Sequence, residues 1–279
     1  MKRFILAVGV CAVLSLAASA QDVIPSEGTL VAESKSVAPG GTLWVGLRIT
    51  MKPRWHVYWK NPGDSGLAPK LDWTVPDGVK LTVPAWPAPH KLWLDPLMMY
   101  GYEDELLLPA RIDVPKDYKG KTLTVALDAK WLCCDEICLD GGLNAKIEVP
   151  VRAGVAEKDP QWAPLFARTR TATPQAIENA FALAWTRKDG ALVFGISIRT
   201  AKVPLDKNAR AYFFSGTGGV LDHTADQKLT VEDKHATLSL TLDPATKKDR
   251  IPRLRGVLVV EQGKTRRAYL VDLPGQKTP

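Results

Sequence analysis

Three cysteines lie within six positions of one another in the segment AKWLCCDEICLDGG, residues 129–142. They are Cys133, Cys134 and Cys138, and the remaining cysteine, Cys11, lies in the apolar segment near the amino terminus. Cysteines this close together can form a structural disulfide, bind a soft metal ion or exchange electrons as a dithiol. An odd number of thiols leaves at least one unpaired, so the first question is which two pair.

The alternation of residue types in KTLTVALDAKWLCC, 121–134, predicts the answer. Odd positions are apolar and even positions carry the charges, as in a half-buried β-strand. Cys133 falls on the apolar face and is predicted to be a small core residue. If 135–137 form a three-residue hairpin loop, Cys134 and Cys138 face each other at a distance that suits a disulfide. The predicted pair is therefore Cys134–Cys138, with Gly141-Gly142 as the point where the hairpin register could break.

The function of this pair stays open on spacing alone. A bridge between Cys134 and Cys138 closes a very small loop, so it removes little entropy from the unfolded chain. Its predicted place on the polar face favours electron exchange, but exported proteins use most of their disulfides as structural staples. A Cu(I) site assisted by Met98, Met99 or a histidine is the third alternative, which the inward direction of Cys133 opposes. We predict no metal site.

The sequence predicts that short β-strands position these cysteines. Segments of period-two alternation bounded by Pro, Gly, Asp and Lys clusters dominate the chain. They fall at 42–51, 79–83, 105–114, 121–132 and 143–149, and about seven more follow residue 176. The predicted fold class is all-β, with two immunoglobulin-like β-sandwich domains in tandem. The predicted boundaries are 21–152 for the first domain, 153–175 for a linker with a short helix near 161–168, and 176–279 for the second domain, which opens with a hairpin turn at Lys188-Asp189-Gly190.

The amino terminus has the layout of a secretory signal peptide over residues 1–20. Lys2 and Arg3 precede an apolar run, and Ala18-Ser19-Ala20 is a small-x-small cleavage site. Cleavage would leave 259 of the 279 residues with a net charge of +5, because two of the 37 basic residues and none of the 30 acidic ones are removed. The basic residues are spread along the chain, which argues against nucleic-acid binding. We expect an exported protein that does not span the membrane after cleavage.

Five segments of the chain resemble a known family. They are RWHVYWKNPGDSGLAPKLDW (54–73), YGYEDELLLP (100–109), WLCCDEICLDGG (131–142), AYFFSGTGGVLDHTADQKL (211–229) and LRGVLVV (254–260). In this order they are similar to the amino-terminal periplasmic region of the thiol-disulfide interchange protein DsbD family, and most of all to its ScsB-like branch. Because the chain ends at Pro279 without the membrane-embedded carrier of full-length members, either that carrier is a separate protein or the activity has diverged from that of the family.

The resemblance implies roles for individual residues. Cys134 and Cys138 match the family pattern W-L-x-C-x-x-x-C, in which the second cysteine forms the mixed disulfide with a partner and the first resolves it. Residues 98–102 match a cap loop over the disulfide, whose covering side chain here is Met99, Tyr100 or Tyr102.

The activity implied is that of a periplasmic dithiol carrier, a thiol-disulfide oxidoreductase of the protein-disulfide reductase type. Its expected partners are a membrane-embedded thiol carrier and oxidised clients, thioredoxin-like or of another kind, with cytochrome c biogenesis or copper tolerance as the pathway; no cofactor is expected. Asp135 and Glu136 should raise the pKa values of the thiols, and Lys130 should act in the opposite sense. His56, within the family-like motif, is expected to be a packed or surface histidine. An inert binding or structural sandwich and a copper-binding protein remain the alternatives.

Overall fold

The computed structural model describes residues 24–188, 191–197, 205–232, 235–245, 250–251 and 253–277. The predicted signal peptide and the predicted turn residues Asp189-Gly190 lie outside these ranges.

Strands up to Pro150 form a two-layered β-sandwich. Their bounds are β1 Ser26–Ala32, β2 Thr42–Met51, β3 His56–Gly63, β4 Lys70–Thr74, β5 Lys80–Thr82, β6 His90–Leu94, β7 Leu97–Glu103, β8 Glu105–Asp113, β9 Thr122–Cys134 and β10 Cys138–Pro150. One sheet has the order β1-β2-β8-β5, and the other has the order β10-β9-β3-β7-β6 with β4 also paired to β9. Apolar side chains of both sheets meet between the layers, as expected for packed sheets of alternating pattern.

The β9–β10 hairpin carries the cysteines and keeps one register over its whole length, from Cys138 opposite Cys134 to Pro150 opposite Thr122. The register does not break at the glycine pair. Gly141 instead lies against the indole of Trp131, where a Cβ atom would stand 2.2 Å from the ring nitrogen. Glycine is needed here for close approach, and the ladder continues through it.

The connector between the sandwiches is folded onto the first one. Helix α1, Ala163–Ala172, has a proline in its first turn and buries Leu165 and Phe166 in a cluster with residues of β1 and β8. It covers all but the first two residues of the helix predicted near 161–168 and continues beyond it. Glu33, only 2% exposed, accepts from Arg170 of this helix at 2.6 Å and pairs with Lys158 at 2.9 Å. Burial acts to raise the pKa of Glu33, but these two cations outweigh it and the net pKa is lowered.

Strands from Gln175 onward form the second sandwich. Their bounds are β11 Gln175–Ala176, β12 Ala182–Lys188, β13 Ala191–Ser197, β14 Arg210–Ser215, β15 Lys228–Val231, β16 His235–Thr241, β17 Arg250–Ile251, β18 Leu254–Gln262, β19 Thr265–Leu273 and β20 Gln276–Lys277, with a 3₁₀ turn at Ile177–Asn179. The sheets have the orders β11-β19-β18-β14 and β12-β13-β16-β15, with β17 and β20 paired separately. Phe194, Phe213, Leu238 and Leu258 lie in the core between them. The all-β, two-sandwich prediction is confirmed.

The two sandwiches share part of one hydrophobic cluster. Tyr100 of β7 is fully buried, its ring packs edge-on against Phe214, and its hydroxyl lies 3.1 Å from that of Tyr212. Beside this contact, His223 Nδ1 lies 2.8 Å from an Asp64 carboxylate oxygen. The second sandwich therefore packs against the sheet that carries the cysteines. Within the part of the chain that the structure describes, no helix is long and apolar enough to cross a bilayer.

Candidate redox site

Cys134 and Cys138 are joined by a disulfide across the end of the β9–β10 hairpin, with their Cα atoms 4.1 Å apart. The intervening residues form the predicted three-residue bend, closed by the Asp135 amide, which donates to the Ile137 carbonyl at 3.0 Å. Cys133 is a free thiol in the core with no exposed surface. Burial raises its pKa, an effect partly offset by a hydrogen bond with Ser26. The predicted pairing and the inward direction of Cys133 are both confirmed.

The two sulfur-bearing residues differ in exposure. Cys134 is 2% exposed, whereas Cys138 lies on the surface beside Ile137, which is 61% exposed. Thiol-disulfide exchange needs access of the attacking group to sulfur, and only the Cys138 side of the bridge is open to solvent.

Cys134 is enclosed by an apolar cluster on the face of the sheet that the alternation pattern marks as polar. The polar expectation holds further along β9, where Asp128 and Lys130 are exposed. At Cys134 it is wrong, because β3 and the strands beyond it place Tyr58, Leu92 and Met99 in one buried cluster with this cysteine. The Tyr58 hydroxyl is 3.9 Å from the Met99 sulfur, to which it donates.

His56 lies directly opposite Cys134 in the β3–β9 ladder. It is 7% exposed, its Nε2 is 3.3 Å from the Tyr58 hydroxyl oxygen, and the two rings stand edge to face. Burial lowers the pKa of His56, and the Asp135 carboxylate offsets part of that change. His56 is therefore a packed histidine, and its position facing Cys134 was not predicted from the sequence.

Arg54 is the cation beside the acidic bend. Its guanidinium lies 3.3 Å from a carboxylate oxygen of Asp135 and 3.0 Å from one of Glu136. These ion pairs raise the pKa of Arg54, the hydrogen bond with Glu136 most of all. Lys130, predicted for this modulating role, is four residues along β9 from Cys134, or about 13 Å at the rise of a strand. It faces Lys70 and Gly142 in the neighbouring strands, and its modulating role stays a prediction.

The segment predicted as a cap loop is part of strand β7. Met99 is 3% exposed and belongs to the cluster around Cys134. Tyr100 and Tyr102 point to the other face, where Tyr100 meets the second sandwich and the Tyr102 hydroxyl donates to the Pro87 carbonyl at 2.7 Å. Alternation along the strand separates the three candidates, so only Met99 lies beside the disulfide.

Part of the chain matches the model of a known family. Residues 25–142, which include both disulfide-bonded cysteines, match the family model described as thiol:disulfide interchange protein DsbD, N-terminal. Residues 25–142 therefore form a DsbD amino-terminal domain.

The fold around this domain has a solved counterpart. The chain is similar to the crystal structure of the N-terminal periplasmic domain of ScsB from Proteus mirabilis, with a TM-score of 0.62 and 16% sequence identity. The match covers 91% of this chain and 96% of that one, so the shared fold, immunoglobulin-like sandwiches in tandem, extends over both halves. At this identity it shows the fold alone.

Other similarities are weaker. The sporulation control protein Spo0M from Bacillus subtilis gives a TM-score of 0.22 at 10% identity, covering 90% of this chain and 91% of that one, which is too low to carry an argument. No curated protein matches the sequence significantly.

Sequence reasoning missed Arg54, which contacts the acidic bend, and singled out His56 without identifying Cys134 as its neighbour. Arg54 and His56 both lie in the family-like segment 54–73, so the signal was present as a motif, but their partners are about eighty residues away in the chain. Among the residues that the structure describes, no group of three or more His, Cys, Asp or Glu side chains is arranged to hold a metal ion.

Proposed function

We propose that this protein is a periplasmic thiol-disulfide interchange protein. It passes reducing equivalents from a membrane-embedded thiol carrier to oxidised client proteins, thioredoxin-like or of another kind, through the Cys134–Cys138 dithiol/disulfide. The observation that carries the proposal is the unequal exposure of the two cysteines in a DsbD amino-terminal domain. A structural disulfide does not require one accessible and one enclosed sulfur. An exchange reaction uses the accessible sulfur to attack the client and the enclosed sulfur to release it.

The proposed reaction has two exchanges. In the reduced protein, the Cys138 thiolate attacks a client disulfide, forming a mixed disulfide and releasing one client thiol. Cys134 then attacks the Cys138 sulfur, which re-forms the Cys134–Cys138 bond and releases the second client thiol. The client gains two electrons and this protein loses two, and a membrane dithiol restores the reduced form by the same exchanges in reverse.

Trapping with single serine variants tests the proposal. Cys134→Ser leaves Cys138 without its resolving partner, so partners should accumulate as mixed disulfides that are visible on a non-reducing gel and disappear with dithiothreitol. Cys138→Ser is the matched control and should capture none, because only the enclosed cysteine remains. Equal capture by both variants, or by neither, contradicts the assigned roles.

A redox titration separates exchange from stapling. Equilibration of the oxidised protein with dithiol buffers should give a midpoint within the range of exchange proteins. A midpoint below about −300 mV is typical of structural disulfides that resist reduction, and would favour an inert bridge.

A further inference from the structure

The exchange chemistry above leaves one problem at Cys134, which must become a thiolate inside an apolar cluster before it can attack. Cys134 is 2% exposed and is packed by Tyr58, Leu92 and Met99. Loss of a proton from a thiol in apolar surroundings is unfavourable unless a nearby base accepts it.

His56 is placed to be that base. It is the residue facing Cys134 across the β3–β9 ladder, and facing side chains of antiparallel strands lie on the same side with Cβ atoms about 4.5–5.5 Å apart. An imidazole at this position can reach the sulfur of its neighbour. Both residues are buried, so solvent competes poorly for the proton.

Hydrogen bonding orients the ring. The Tyr58 hydroxyl donates to the Met99 sulfur, so its oxygen is available to accept from His56 Nε2, 3.3 Å away. We assign the tautomer from this pattern: Nε2 carries the hydrogen and Nδ1 keeps its lone pair. Tyr58 therefore positions the imidazole without using its free nitrogen.

The surrounding charges keep the imidazole neutral at rest. Burial lowers the pKa of His56 and Asp135 opposes this change. The Asp135 charge is itself paired with Arg54, and Glu103, which faces His56 from β7, is exposed to solvent. A neutral imidazole is the form that can accept a proton.

We propose that His56 accepts the proton of Cys134 as this cysteine resolves the mixed disulfide, an inference that rests on the proposed function. The Cys134 S–H bond breaks with its proton passing to His56. The Cys134 sulfur forms a bond to the Cys138 sulfur, and the bond between Cys138 and the client sulfur breaks. The leaving client thiolate takes the electron pair of that bond and then the proton from His56, so the imidazole is neutral again.

The test is a two-phase reaction of the reduced full chain with one equivalent of dithiobis(nitrobenzoate), followed by stopped-flow absorbance. Cys11 and Cys133 are replaced by alanine, so only the two site thiols react. Attack by Cys138 releases the first nitrothiobenzoate, and resolution by Cys134 releases the second. In His56→Gln the first phase should stay within about twofold, whereas the second should slow about a hundredfold, as for loss of a general base.

The pH profile gives a readout that a purely structural role would not move. Without the substitution, the second phase should lose rate as the pH falls through an inflection below about 6.5, the ordinary value for histidine. In His56→Gln this inflection should vanish and the rate should rise with hydroxide concentration. Tyr58→Phe, which keeps the ring but loses the hydroxyl, should slow the second phase about fivefold and shift the inflection.

The outcomes of this experiment test the role of His56 and the proposed exchange function separately. Absence of the first phase in the otherwise unsubstituted protein overturns the proposed function. A normal first phase with a second phase and pH profile that His56→Gln leaves unchanged overturns only the role of His56. If His56→Gln does not fold, the pH profile of the unsubstituted protein still tests the inference. A second-phase rate that shows no inflection in the acid range refutes it. His235→Gln, exposed on the second sandwich, is the matched control and should alter neither phase.

Discussion

Truncation of Met99 to alanine should both destabilise the first sandwich and expose the enclosed half of the disulfide. The side chain is 3% exposed, so nearly all of its surface is removed from water on folding. Alanine lacks three of its heavy atoms, and at about 0.8 kcal/mol for each buried CH₂-sized group the transfer cost is about 2.4 kcal/mol. The cavity left behind adds to this cost, and we expect a total of about 2.5–4 kcal/mol. That is a large part of the 5–15 kcal/mol that is typical of a folded domain.

Two measurements on the oxidised protein check this expectation. Urea unfolding can be followed by tryptophan fluorescence, since seven of the nine tryptophans lie between Trp44 and Trp131. The rate of reduction by dithiothreitol should also rise in Met99→Ala, because Cys134 loses the cover that limits attack to Cys138. Met99→Leu is the matched control: it conserves volume, should cost less than about 1.5 kcal/mol and should leave the reduction rate nearly unchanged.

A loss of less than about 1 kcal/mol in Met99→Ala together with an unchanged reduction rate would refute the reasoning, since it would mean that Met99 does not seal Cys134. A faster reduction in Met99→Leu equal to that in Met99→Ala would point instead to loss of the contact between sulfur and the Tyr58 hydroxyl.

Three further outcomes follow from other contacts. Arg54→Gln should leave Asp135 without its cation and slow the alkylation of the reduced Cys138 thiol at neutral pH by about twofold, because loss of a nearby positive charge disfavours the thiolate. Gly141→Val should lower the melting temperature by about 5 °C or more, because its Cβ would stand 2.2 Å from the Trp131 ring nitrogen. Glu33→Gln should reduce the stability that the protein loses on acidification. The pKa of Glu33 is lowered in the folded protein, so its carboxylate stabilises the fold at pH values above its ordinary pKa of 4.5. That contribution is lost as the pH falls through the pKa of Glu33 in the folded protein.

Each of these three substitutions has a matched control at a nearby position or strand. Lys130→Gln should change the alkylation rate of Cys138 less than Arg54→Gln does, and an equal change would support the modulating role predicted for Lys130 from the sequence. Gly142→Val should be tolerated, since a Cβ there meets only the Ala129 carbonyl at 3.4 Å. Glu27→Gln, at an exposed site of β1, should keep the acid profile of the unsubstituted protein. An acid profile that Glu33→Gln does not change would show that its pairs with the connector add no stability.

Period-two alternation in one strand was enough to predict the pairing of the cysteines. Cys133 and Cys134 are adjacent, so they must point to opposite faces, and a three-residue bend then sets Cys138 opposite Cys134. These are local relations, decided by backbone geometry within ten residues. The same alternation could not say what covers each face. It marked the side of Cys134 as polar, and this is true at Lys130 but wrong at the cysteine itself.

The sequence by itself determined the strand pattern, the all-β class, the hairpin and the pairing, because each depends on neighbours along the chain. The tertiary structure alone decided that His56 and Arg54 lie beside the disulfide and that Met99, of the three candidate covers, is the one that packs against Cys134. The physical reason is register: strands distant in sequence can pair at many offsets, and each one-residue slip turns every side chain to the other face. Only the packing of both sheets, with the second sandwich against Tyr100, selects one of those offsets.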